Sequence, residues 1–81
     1  MPEAKQVVTL AKLRAGQSGR VVEVKGGHGL VSRLSALGIR PGRRVTKLSD
    51  MLMRGPVTIQ TGRTRLAIGF GMAGKIMVEV D

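Results

Sequence analysis

Cysteine, tryptophan and tyrosine are absent from this 81-residue chain, and Phe70 is its one aromatic residue. Without thiols there is neither a disulfide framework nor a thiolate metal site. With a single ring there is no platform on which nucleic-acid bases stack, and the core must be built from Val, Ile, Leu and Met. Acids are scarce as well: five Asp and Glu stand against 14 Lys and Arg, a formal net charge of +9. Paired carboxylates for acid–base chemistry are missing, and no base accompanies Ser18, Ser32, Ser35 or Ser49, so the chain reads as a non-enzyme. No apolar run approaches the roughly 18 residues that cross a bilayer. The opening Met1-Pro2-Glu3-Ala4-Lys5 lacks the charged-then-apolar pattern of a signal peptide, so an intracellular, soluble protein is expected.

What is present fits one small domain over residues 1–81, with an ordered barrel from about residue 7 to 80. A chain of this size buries only about 60–65% of its unfolded surface, so each large aliphatic side chain counts. Thr9 is placed to N-cap a short helix, with Val8 and Leu13 as a hydrophobic staple. Gly19 opens a β-branched strand reaching Lys25, and Gly26-Gly27-His28-Gly29 leads into a second short helix. Leu30, Leu34 and Leu37 share one face of that helix. Gly38 closes it at a position suited to positive φ, and Pro41-Gly42 suits the centre of a type II turn.

Strands then follow at 43–48, from Pro56, at 64–68 and at the C-terminal end, where Ile76, Val78 and Val80 point inward. Gly62-Arg63 makes a two-residue hairpin loop. Gly55 and Pro56 shape the entry to the middle strand, and the loop before them carries Met51, Leu52 and Met53. Five short strands in so small a chain favour a compact barrel, because closure removes exposed edges.

Three candidate sites are weak on their own terms. Gly69-Phe70-Gly71-Met72-Ala73-Gly74 spells G-x-G-x-x-G, but a strand follows at once where a dinucleotide fold needs a long helix, so a glycine-rich turn is the reading. His28 is the sole histidine and has no neighbouring ligand, which leaves it a weak candidate for metal. The scattered methionines read first as core filler. The strongest feature is charge: Arg33, Arg40, Arg43, Arg44 and Lys47 fall within fifteen residues without one acid. Such a patch attracts nucleic acid, an anionic leaflet or an acidic protein face, and charge alone does not choose among them. Duplex DNA lacks a recognition helix here, so nucleic acid is the weaker reading.

Arg33-Leu34-x-x-Leu37-Gly38-Ile39-x-Pro41-Gly42, the later Gly55-Pro56-Val57 and the closing Leu66-Ala67-Ile68-Gly69-x-Gly71-Met72-Ala73-x-Lys75-Ile76-Met77-Val78 resemble the FeoA family of ferrous iron transport proteins. The resemblance implies an SH3-like β-barrel with inserted short helices. It also implies a cytoplasmic accessory role beside FeoB, the membrane ferrous transporter with a cytoplasmic G domain. Fe²⁺ is then the cargo of the system, with no cofactor held by this chain, although the family carries a broad transition-metal label. On that reading Leu52, Met53, Phe70 and Met72 supply apolar contact. Arg33, Arg40, Arg43 and Arg44 steer toward an acidic surface or the inner leaflet, and Gly38, Pro41, Gly42, Gly55 and Pro56 only shape the barrel. A monomer or weak dimer is expected. The alternatives are a basic nucleic-acid-binding barrel and a domain that binds transition metal directly.

Overall fold

β-Branched runs punctuated by glycine give the chain its strands, and the computed structural model describes residues 6–49 and 55–81. Among these, the chain runs β1 (Val7–Thr9), a 3-10 turn (Leu10–Lys12), β2 (Ser18–Val24), α1 (His28–Ala36), β3 (Arg44–Ser49), β4 (Val57–Thr61), β5 (Thr64–Ile68), α2 (Phe70–Ala73) and β6 (Ile76–Val80). All pairings are antiparallel, in the order β1-β6-β2-β3-β4-β5. The mostly-β architecture expected from the sequence is therefore borne out, with six strands in place of about five.

The added strand is Val7–Thr9. Thr9 is the N-cap of the 3-10 turn, with the extended backbone (φ −74°, ψ 155°) that such a position takes, but its side chain makes no capping hydrogen bond and it is also the last residue of β1. Its three residues pair with Glu79, Val78 and Met77. Three β-branched side chains in a row favour that outcome over a helix, and only a single 3-10 turn follows.

Strand alternation builds the core. Val21, Val45, Val57, Ile59, Ile68, Ile76 and Val78 face inward, and Leu10, Leu13, Leu34, Ile39 and Ala73 close over them from the turns and helices. These five are contributed by non-strand segments, so a sheet of short strands is sealed without a single buried ring. The β4–β5 loop is Gly62-Arg63, with Gly62 at φ 61°. A glycine-rich turn was expected at residues 69–74; the structure has one helical turn there. The N–H groups of Ala73 and Gly74 donate to the carbonyls of Gly69 and Phe70 at 2.9 and 3.1 Å. Burial of Ala73 offsets the glycine penalty in that turn.

Helix α1 ends in a Schellman arrangement. Gly38 N–H donates to Ser35 O at 3.0 Å and Ile39 N–H to Leu34 O at 2.8 Å, with Gly38 at φ 94°. The reversal turns Ile39 into the core against Leu34 and leaves Leu37 outside, 43% exposed. The expected third apolar position of the helix face is thus filled from beyond the helix. A helix ended by a positive-φ residue cannot keep its own register past the cap.

Lys47 departs furthest from expectation. It is 2% exposed, at the inward position between Val45 and a bulge at Leu48. Its Nζ donates to the carbonyls of Ala11, at 3.1 Å, and Leu13. Its main chain joins the same region: Gly16 N–H donates to Lys47 O at 2.7 Å, and Lys47 N–H to Gln17 O at 2.9 Å. A buried ammonium must have such oxygens to offset its lost hydration, and the carbonyls freed by the 3-10 turn supply them. This residue is also why the alternation of β3 looks imperfect: an interior position carries a cation, and Leu48 faces out.

Gly19 is needed for a different reason. A Cβ there would sit 2.5 Å from the Glu79 carbonyl oxygen and 2.5 Å from a Val78 methyl. Main-chain atoms cannot yield cheaply, so Gly19→Ala is expected to destabilise the fold by about 2–3 kcal/mol, read as a lower urea midpoint at unchanged slope. Lys47→Ala is expected to cost about 3 kcal/mol through lost packing and two deserted carbonyls. Lys47→Met keeps the stem and should cost less; equal losses would assign the whole effect to the ammonium.

Candidate partner-binding surface

The turn that carries most of the basic stretch is laced to β2. Gly42 N–H donates to Val21 O and Val21 N–H to Arg43 O, each at 2.8 Å, while Arg43 N–H closes the turn on Arg40 O at 3.1 Å. Gly42, at φ 95°, takes the positive φ that a type II turn places there. Gly42 therefore does more than shape the turn, since its amide is one of the stitches. Arg40 and Arg43 stand out from a backbone held on both sides.

Arg43 does not hang free in water along its whole length. Its Nη2 lies 3.6 and 4.0 Å from where side chains at Gly62 and Gly38 would begin. The guanidinium thus rests across the β4–β5 hairpin tip and the end of α1, in space left open by two glycines. Thr61 lies in the same neighbourhood, 3% exposed, with an Oγ1 that has no hydrogen-bond partner among the described residues. Arg33 is exposed in the last turn of α1.

Arg44, at the start of β3, is committed elsewhere. Both its Nη atoms contact the Asp81 carboxylate, Nη1 at 3.1 Å from Oδ1, and this is the one ion pair among the described residues. Lys47, counted with the patch by sequence proximity, is removed from it by burial. Among the described residues, the surface charge in this region that remains unpaired by carboxylate is Arg33, Arg40 and Arg43.

The expected apolar contact face is only partly described. Leu52 and Met53 lie outside the described residues. Phe70 opens α2 and is 39% exposed, whereas Met72 is half-buried and packs against the core. Leu37 and Leu48 are exposed apolar side chains that periodicity had assigned no such role. Gly55 is half-buried and Pro56 exposed, leading into β4. His28 begins α1 on the surface, and no three His, Cys, Asp or Glu side chains converge among the described residues. That donor set does not fit a resident transition metal. No helix among the described residues is long and apolar enough to cross a membrane.

The family model for the FeoA domain matches residues 8–80. A Methanocaldococcus jannaschii protein named "Putative Fe(2+) transport protein A" is 37% identical over 70 residues, covering 86% of this chain and 83% of its own. A crystal structure of an iron uptake regulatory protein (FeoA) superimposes with a TM-score of 0.88 at 37% identity, covering 94% of this chain and all of that one. The zinc complex of Stenotrophomonas maltophilia FeoA, described as a prokaryotic SH3 domain protein, has a TM-score of 0.78 at 28% identity and 89% coverage of both chains. Six antiparallel strands around an aliphatic core, the Schellman turn and these matches over nearly every residue place the chain in the FeoA family.

Proposed function

We propose that this chain is a non-enzymatic cytoplasmic adaptor of ferrous iron uptake, docking on the cytoplasmic G-protein part of a FeoB-type transporter at the inner face of the membrane. Its membership of the FeoA family, with a relative named for Fe(2+) transport, supports the iron-uptake half of this reading. The observation that carries the docking half is the arginine-bearing turn. Arg40 and Arg43 are presented on backbone stitched to β2, so little ordering is lost when an acidic surface meets them. Exposed guanidinium groups on a chain of net charge +9 raise the encounter rate with an acidic partner or an anionic leaflet. Arg33 extends the same charge onto α1, and Phe70, 39% exposed, offers an apolar contact. Fe²⁺ enters this account as cargo of the transporter.

Retention on immobilised soluble FeoB domains tests the proposal. Wild-type protein should be retained, and Arg40→Glu/Arg43→Glu should associate about tenfold more slowly, with a weaker salt dependence. Equal association by both proteins would remove the steering role, and no retention of either would remove the adaptor role. Asp81→Asn releases Arg44 from its ion pair. It should change stability by less than about 0.5 kcal/mol, since the pair is exposed, and should leave retention undiminished. A gel shift with duplex DNA at physiological salt separates the nucleic-acid reading, which requires binding that falls steeply with salt.

A further inference from the structure

A cavity of about 310 Å³ opens between β1 and the segment that follows it. Its lining is Gln6, Val8, Lys12, Arg14, Gln17 and Val80. Two small aliphatic side chains form an apolar part, and four side chains that can donate hydrogen bonds surround it. No acid among the described residues lines it, and the one ion pair among those residues lies at Arg44 and Asp81. The wall is preformed. Arg14 N–H donates to Gln17 Oε1 at 2.8 Å, Gln17 N–H to Arg14 O at 2.9 Å, and the ammonium of Lys47 holds the carbonyls on either side of Lys12. With its Oε1 so engaged, Gln17 has its amide N–H groups left to donate.

β1 is the first strand in the sheet order, and among the described residues it pairs with β6 alone. Val80 N–H donates to Gln6 O at 2.8 Å, so Gln6 and Val8 direct their main chains at β6. Val7, between them, then turns its N–H and carbonyl away from the sheet, and its side chain is 46% exposed. An extended chain laid against this edge would place alternate side chains on the face of Val8 and the cavity.

We propose that the β1 edge and this cavity are a docking site for an extended acidic peptide of a partner protein, which adds a strand at Val7 and drops one glutamate or aspartate side chain between Lys12 and Arg14. Chemistry selects this occupant. The volume lies at the low end of about 300–1,000 Å³ for ligand sites, ample for a carboxylate side chain. The lining holds no ring for a base to stack on. A second copy of this chain would bring its own +9 charge to the edge, which disfavours self-pairing. The site is separate from the arginine turn and does not depend on which transporter the adaptor serves.

Amide chemical shifts of the isotope-labelled protein test it, with two blocked pentapeptides as probes, Thr-Glu-Thr-Glu-Thr and Thr-Gln-Thr-Gln-Thr. The glutamate peptide should give saturable shifts centred on residues 6–9, 12–17 and 80, with the glutamine peptide about tenfold weaker. Lys12→Gln/Arg14→Gln should lower affinity for the glutamate peptide by a similar factor. Val7→Pro, which removes the outward N–H, should weaken both peptides while the spectrum stays dispersed. Equal affinity for the two peptides, shifts confined to the Arg40–Arg43 turn, or no saturable response would overturn the proposal.

Discussion

Everything at the base of this barrel depends on one buried cation. Lys47 reaches from the middle of β3 to two carbonyls of the 3-10 turn, while its own peptide group pairs with Gly16 and Gln17. A segment without regular structure is thereby tied to the central sheet at four points. The alternative of an apolar residue at 47 would fill the same volume and leave carbonyls at the turn with nothing to bond. The lysine uses the polarity that the turn cannot avoid. That arrangement also fixes Leu10 and Leu13 over the core, where a chain with one aromatic residue has no large side chain to spare.

Charge in this protein is divided by geometry, not by sequence distance. Five basic residues between positions 33 and 47 look like one patch when read along the chain. The fold gives them three fates: Lys47 is an internal strut, Arg44 is neutralised by Asp81, and Arg33, Arg40 and Arg43 stay outside. Lys12 and Arg14, only two residues apart and separated by a buried leucine, belong to a different face. Net charge sets how strongly the molecule is drawn to an anionic neighbour, whereas these placements decide which side arrives first.

The parts legible in the sequence were those carried by backbone chemistry. Gly38 and Pro41-Gly42 announced a helix stop and a turn because few residues tolerate those conformations, and the strands of 57–61 and 64–68 followed from alternation around Gly62. The FeoA resemblance rested on these same positions, which is why fold and family were readable together. The missed features share a tertiary cause. Val7–Thr9 is a strand because β6 returns beside it seventy residues later, and nothing local records that pairing. Lys47 is buried because carbonyls some 34 residues earlier in the chain wait for it. Gly19 looked like a strand boundary, whereas its lack of a side chain admits the main chain of β6. The cavity joins residues from both ends of the chain and had no signature in either.

The position of β6 between β1 and β2 has a consequence for synthesis. Both neighbours are made first and must wait for the strand that unites them, so the hydrogen bonds of one half of the sheet cannot form on a growing chain. The half of the sheet that β6 joins therefore depends on contacts between segments far apart in the chain, the slowest kind to form.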